Sequence, residues 1–137
     1  MRWLARSIIF SLFFLLVFAS SVSAQTTVSP SKSYQASGAS DQDDMTVWVH
    51  PTDFSKSTII GSDKASGKIF VYDIEGTALQ TISSGGQPGN IDLRYNFPLA
   101  GKLIDIVVYN ERSSATLHVY SVDPSSRQLT RIDAGIT

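Results

Sequence analysis

Apolar and polar residues alternate in short runs along most of this chain, and the runs are rich in β-branched and aromatic side chains. Thr46-Val47-Trp48-Val49 is one run; Thr58-Ile59-Ile60-Gly61, ended by Ser62-Asp63, is a second; Lys68-Ile69-Phe70-Val71-Tyr72 is a third. A period of two turns one set of side chains to a core and the other to water, so each run predicts a strand. Glu75-Gly76 is a tight-turn signal, and residues 78–82 predict its hairpin partner. Residues 83–89 form a Gly/Ser/Pro loop. The plan then repeats. Residues 90–95 correspond to the segment around Asp44, residues 116–122 alternate, residues 123–126 turn and residues 128–132 return. Residues 103–108 are almost continuously apolar, which predicts a strand buried on both faces. No amphipathic helix is predicted, because residues 102–108 lack cap signals and their branched side chains favour strand.

The repeat has a fixed offset. Asp44 returns as Asp92, Lys64 as Arg112 and Val71-Tyr72 as Val119-Tyr120, each 48 positions on. A strand-built period of about 40–50 residues is the signature of β-propeller blades. The predicted fold is therefore an all-β propeller, with about two four-stranded blades in this chain. Ring closure takes about four to eight blades. The chain accordingly reads as an N-terminal fragment of a longer protein, or as a short chain that closes its ring by oligomerising. Two isolated blades would expose unpaired edges and apolar faces.

The N-terminus follows a different pattern. Two arginines within residues 1–6, an apolar run over residues 8–19 and Val22-Ser23-Ala24 match a secretory signal peptide cleaved after Ala24. The apolar run falls short of the roughly 20 residues that span a bilayer; an uncleaved signal anchor is the alternative. Residues 25–40, rich in Ser, Thr, Gln and Ala, read as a flexible linker that gains a strand only if tethered, and the folded domain as residues 41–137. The chain has no cysteine, so stability comes from core, metal or assembly rather than disulfides. A net charge of −1 leaves no basic footprint for nucleic acid.

Candidate chemistry lies in the repeated charges. Asp41-Gln42-Asp43-Asp44 sets three carboxylates in what reads as the loop before the first strand. Adjacent carboxylates repel unless solvated or neutralised, and hard oxygen ligands suit Ca²⁺. The bland reading is a solvated acidic loop; Asp92, at the matching position, weighs against it. Lys64 and Arg112 each follow a strand ending in a polar pair, Ser62-Asp63 or Asn110-Glu111. Alone, each would be a solvated cation. Paired beside paired acids, they describe an anion site, with Arg shaped for bidentate phosphate contact. A metal can also activate water and offset charge in phosphoryl transfer. His50 reads as structural, and His118 as pointing out of its strand without a partner. Among recognisable motifs there is no phosphate-binding glycine loop, nucleophile elbow or zinc spacing.

Asp43-Asp44-Met45-Thr46-Val47-Trp48-Val49-His50-Pro51 resembles the opening of the β-propeller phytases. Asp63-Lys64-Ala65-Ser66-Gly67, Val71-Tyr72-Asp73 and Gly76 resemble their next segment. Asn90-Ile91-Asp92-Leu93-Arg94-Tyr95-Asn96-Phe97-Pro98-Leu99 is similar to the family's most distinctive stretch, and Asn110-Glu111-Arg112-Ser113 to the loop after it. The resemblance runs in order over residues 41–132. It implies a six-bladed propeller that hydrolyses phytate, inositol hexakisphosphate, to lower inositol phosphates with calcium as cofactor. Asp43, Asp44 and Asp92 then correspond to calcium ligands, assisted by backbone carbonyls near Met45 and Ile91. Lys64, Arg112 and Asn90 correspond to phosphate-binding residues. Catalysis rests on metal-bound water, with no protein nucleophile assigned. Met45 departs from the pattern, which often has Pro there. The implied protein is secreted and takes phytate or another phosphate ester, without nucleic-acid partners and without a membrane after signal cleavage; this chain alone is expected to show little or no phosphatase activity. A non-catalytic propeller module that binds a partner or glycan is the alternative, since the fold hosts many functions.

Overall fold

The computed structural model describes residues 26–133. The signal peptide expected over residues 1–24 lies outside the described residues, as do residues 134–137. Among the described residues, no helix is long and apolar enough to cross a membrane. The chain divides into two units at the Ser31–Lys32 boundary. The described part of the first, residues 26–31, holds no helix or strand. The second carries β1 (Gln42–Trp48), a 3-10 turn (Phe54–Lys56), β2 (Thr58–Asp63), β3 (Lys68–Asp73), β4 (Ala78–Ser83), β5 (Pro88–Leu99), β6 (Lys102–Glu111), β7 (Thr116–Asp123) and β8 (Gln128–Arg131).

The strands form two four-stranded antiparallel sheets, β1-β2-β3-β4 and β5-β6-β7-β8. They are the two blades that the repeat predicts. Alternation works as read: on β7, His118, Tyr120 and Val122 are buried while Val119 and Ser121 are half-buried. The turns repeat too. Gly67, after β2, has φ +64°, and a Cβ there would meet the Gly86 carbonyl oxygen at 2.7 Å. Its counterpart 48 residues on, Ala115, has φ 56°. Only the first turn is crowded enough to require glycine.

The pairing shows where the repeat holds. All six pairs of β2 with β3, from Thr58–Asp73 to Asp63–Lys68, return 48 residues later in β6 with β7, from Ile106–Ser121 to Glu111–Thr116. The first strands depart from it. Asp44 faces Ser62, but Asp92 faces Val108 rather than Asn110. Asp92 thus takes the place in its sheet that Thr46, opposite Ile60, takes in the first. The slip is present from the start of the strand, where Glu111 faces Pro88 although Asp63 faces Gln42, and it persists past the register shift that each strand makes next, between Gln42 and Asp44 in β1 and between Pro88 and Ile91 in β5. A two-residue slip preserves the face and moves the side chain about 6–7 Å along the strand.

Two further expectations change. The acids at 43 and 44 lie inside β1, which starts at Gln42, and not in a loop before it. Strand β6 is not buried throughout, as Leu103 is 68% exposed. The β5–β6 hairpin outruns its sheet: β6 pairs with β7 only from Ile106 onward, so among the described residues Lys102 to Ile104 have no third strand beside them.

One core joins the blades. Trp48, Ile60, Ile69 and Val71 pack with Ile91, Val107, Tyr109, Tyr120, Val122 and Leu129. Polar ties cross at the edges of this core. Gln80 donates to the Leu129 carbonyl at 3.0 Å and accepts from its N–H at 2.8 Å. The buried Trp48 indole donates to Asp105 at 2.8 Å. His50 is buried and structural: its Nδ1 accepts from the Thr52 and Asp53 N–H groups, which leaves the proton on Nε2, 3.2 Å from the Pro124 carbonyl. His118 does not point outward. It is buried, with Nδ1 3.2 Å from Asp133, which the chain brings back beside β7 through the Ile132–Val119 backbone bond. From Lys32 the segment before β1 is tied to the first sheet without becoming a strand. Lys32 pairs with Glu75, Tyr34 packs on Tyr72, and the Ala36 N–H reaches the Tyr72 hydroxyl.

Candidate functional site

Strand β2 ends at Asp63 and hands the chain to Lys64 at the surface. The Lys64 ammonium sits 3.0 Å from Asp43 and 3.4 Å from Asp41. The hydrogen bonds it donates to Asp43 and then Asp41 push its pKa up from the ordinary lysine value. Asp43 and Asp44 are adjacent on a strand, where successive side chains diverge, and their partners differ accordingly. Asp43 turns to Lys64. Asp44 turns to the next blade and accepts the Ile91 N–H at 3.0 Å, while its other oxygen takes the Met45 N–H at 2.9 Å. The acidic cluster is thus relieved in part by a lysine within the chain.

The second blade carries the matching set. Asn90 and Asp92 are exposed, and Asp92 accepts the Leu93 N–H at 2.7 Å. The two line one groove with Ile91, Arg94 and Asn110. Arg112 follows β6 and is exposed; among the described residues its guanidinium makes no ion pair. Its side chain lies over Gly89, where a Cβ would stand 3.1 Å from the Arg112 Cδ. Arg112 is therefore placed beside the residue that precedes Asn90. Among the described residues, the Asn110 amide oxygen is buried there without a partner.

Two acids that the sequence reading passed over hold these corners. Asp63 is fully buried and accepts from the N–H groups of Ser40, Asp41 and Ser66 at 2.6, 3.0 and 2.8 Å. Glu111, 48 residues on, accepts from Gln87, Ser113 and Ser114 at 2.6, 2.9 and 2.7 Å. Burial opposes the Asp63 charge, but the N–H groups of Ser66, Ser40 and Asp41 outweigh it and hold the pKa at about 2. The Ser114 hydroxyl and the Ser113, Ser114 and Gln87 N–H groups hold Glu111 at about 2. The signal was an acid directly before each repeated cation, read at first only as a strand end.

The donor chemistry of Asp43, Asp44 and Asp92, with the Met45 and Ile91 carbonyls, is that of a hard divalent cation. Asp44 already lies against the backbone just before Asp92. Among the described residues, however, no group of three or more His, Cys, Asp or Glu side chains is placed to hold a metal ion. These residues fit as part of a coordination shell, not as a whole one.

A family model described as Phytase matches residues 7–136. The chain is 39% identical over 113 residues to the 3-phytase of Bacillus subtilis (strain 168), an alignment that covers 81% of this chain and 28% of that protein. The chain thus spans little more than a quarter of its relative's length. With two blades in place and nearly its whole length matched, the chain belongs to the Phytase family.

Proposed function

We propose that this chain is the front portion of a secreted, calcium-dependent phosphoric monoester hydrolase acting on phytate. The observation that carries the reading is the placement of Lys64 and Arg112 at the same point of two neighbouring blades, Lys64 beside Asp41 and Asp43 and Arg112 beside the Gly89-Asn90 corner, in a chain of the Phytase family. Phytate presents several phosphates on one small ring, each bearing about −1.5 to −2 charges at neutral pH. Lys64 offers a point charge to one phosphate. Arg112, with Asn90 nearby, offers a planar fork to a neighbouring one. The overall step transfers a phosphoryl group to water: a P–O ester bond breaks, the ring keeps a hydroxyl and orthophosphate leaves. Asp43, Asp44 and Asp92, with the Met45 and Ile91 carbonyls, would hold calcium, and further ligands would complete its shell. Bound calcium supplies Lewis-acid stabilisation of phosphate charge and a more acidic water. Residues 1–24 would act as the export signal, residues 25–40 as a linker and residues 41–137 as the partial propeller.

The test is phosphate release from phytate by the full-length mature protein, with calcium and with a chelator, for wild type, Lys64→Ala and Arg112→Ala. The reading expects calcium-dependent release that both variants reduce by at least about tenfold in kcat/KM. Unchanged release in both variants removes the phosphate-site assignment. No release by the wild type favours a non-catalytic binding module.

A further inference from the structure

We infer that Asp63 and Glu111 are positioning residues for the two cations, an inference that rests on the reading of Lys64 and Arg112 as phosphate ligands. Each acid ends its strand, β2 or β6, and directly precedes its cation. Each is buried, 0% and 4% exposed, while the cation next to it reaches solvent. Each carboxylate grips the chain on two sides. It takes N–H groups from the turn after the cation, Ser66 in one blade and Ser113 and Ser114 in the other. It also takes N–H groups from the segment leading into the blade's first strand, Ser40 and Asp41 or Gln87. The cation closes the loop through its own backbone: Lys64 donates to the Asp41 carbonyl at 3.2 Å and Arg112 to the Gln87 carbonyl at 2.9 Å.

A residue that only stabilised its turn would need only the bonds within the turn. The bonds to the leading segments reach 22 and 24 residues away. Those segments run directly into Asp43 and Asp44 in one blade, and into Asn90 and Asp92 in the other. The acid therefore ties each cation to the start of the strand that carries Asp43 and Asp44, or Asn90 and Asp92. The second blade is built closely around this contact, because a Cβ on Gly86 would come within 2.2 Å of the Glu111 carboxylate.

The experiment compares Asp63→Asn and Glu111→Gln with wild type in the full-length protein, by steady-state phytate hydrolysis and by hydrogen exchange of the Lys64 and Arg112 amides. For variants folded at the assay temperature, KM should rise about tenfold, the loss of one charge-assisted bond to phosphate, with kcat within about twofold. The amide of the affected cation should lose protection while the rest of the sheet keeps it. Glu111→Asp retains the charge and copies the residue used in the other blade, so it should recover part of the lost affinity. If Asp63→Asn does not fold, Gly86→Ala, which displaces the Glu111 carboxylate without removing it, should reproduce the KM effect. An unchanged KM in folded variants, or a loss confined to kcat, overturns the inference. A wild type that releases no phosphate from phytate overturns the functional reading instead; the exchange data then decide positioning, and unchanged protection of both amides ends it.

Discussion

The Asp44 carboxylate accepts the Ile91 N–H at 3.0 Å, so one side chain both fastens the first strands of the two blades and stands as a candidate metal ligand. Isosteric and truncating substitutions separate these roles. Asp44→Asn keeps an acceptor for the Ile91 N–H but loses the charge. Asp44→Ala loses both, leaving a half-buried donor unsatisfied at a cost of about 1–3 kcal/mol. Melting curves with calcium and with a chelator provide the check. Wild type should melt lower in chelator, since a cation that binds only the folded state stabilises it by about 2.7 kcal/mol at a hundredfold excess over Kd. Asp44→Asn should melt near the wild type in chelator and gain little from calcium. A full calcium response in Asp44→Asn would remove Asp44 from the ligand set.

Acid should unfold the protein through Asp63 and Glu111. Both carboxyls are depressed to about 2 in the fold, from ordinary values of 3.8 and 4.5. A depressed carboxylate stabilises the folded state fully above its unfolded pKa, and that contribution fades as pH falls through the folded one. The melting temperature should therefore drop as pH is lowered from about 4.5 toward 2. Asp63→Asn should start lower at neutral pH and show a shallower slope across the same window. Equal slopes for variant and wild type would mean that the Asp63 bonds do not distinguish its ionised form.

How much of this was legible in the sequence differs by strand. The β2–β3 and β6–β7 hairpins were plain because every pair keeps the 48-residue offset. The equivalence of Asp44 and Asp92 was read from the same offset and does not survive in the pairing. Asp92 is offset by two positions because the chain from it to its partner Val108 is two residues shorter than the chain from Asp44 to Ser62, and an equal spacing between repeats does not show that. The His118–Asp133 pair was hidden because its partner arrives from beyond the next turn. Asp63 and Glu111 differ in length, so their shared role emerges only from the bonds they make. Lys64 and Arg112 stand out in the sequence because charge and strand end repeat together. That Lys64 is already held by Asp41 and Asp43 depends on side-chain directions that alternation alone does not supply.

The Trp48–Asp105 bond gives a local probe of the interface between the blades. Asp105 accepts the indole N–H at 2.8 Å and the Asn96 N–H at 3.0 Å. Trp48 is fully buried, so its N–H has no water to turn to. Asp105→Ala should destabilise the protein by about 1–3 kcal/mol. Trp48 fluorescence should also shift as the ring loses its anchor. If stability falls while the Trp48 signal stays fixed, the cost comes from the Asn96 bond alone.

Lys64 enters any phosphate complex from an existing pair of contacts, 3.4 Å from Asp41 and 3.0 Å from Asp43. An anion must displace or share those carboxylates, so they compete with substrate. Asp41 is the cleaner one to remove, because Asp43 is a candidate metal ligand. The pair is partly solvent-exposed, so water screens it and its strength is small. Asp41→Asn should therefore tighten phytate binding modestly, lowering KM by about 1.4- to 5-fold. The gain should shrink as salt is raised and the remaining charges are screened. Arg112 has no such competitor among the described residues, and Arg112→Lys should act in the opposite sense. It keeps the charge but loses the fork, raising KM by about tenfold. If Asp41→Asn instead weakens binding, Asp41 orients the ammonium for phosphate, and the pair is part of the site rather than a competitor to it.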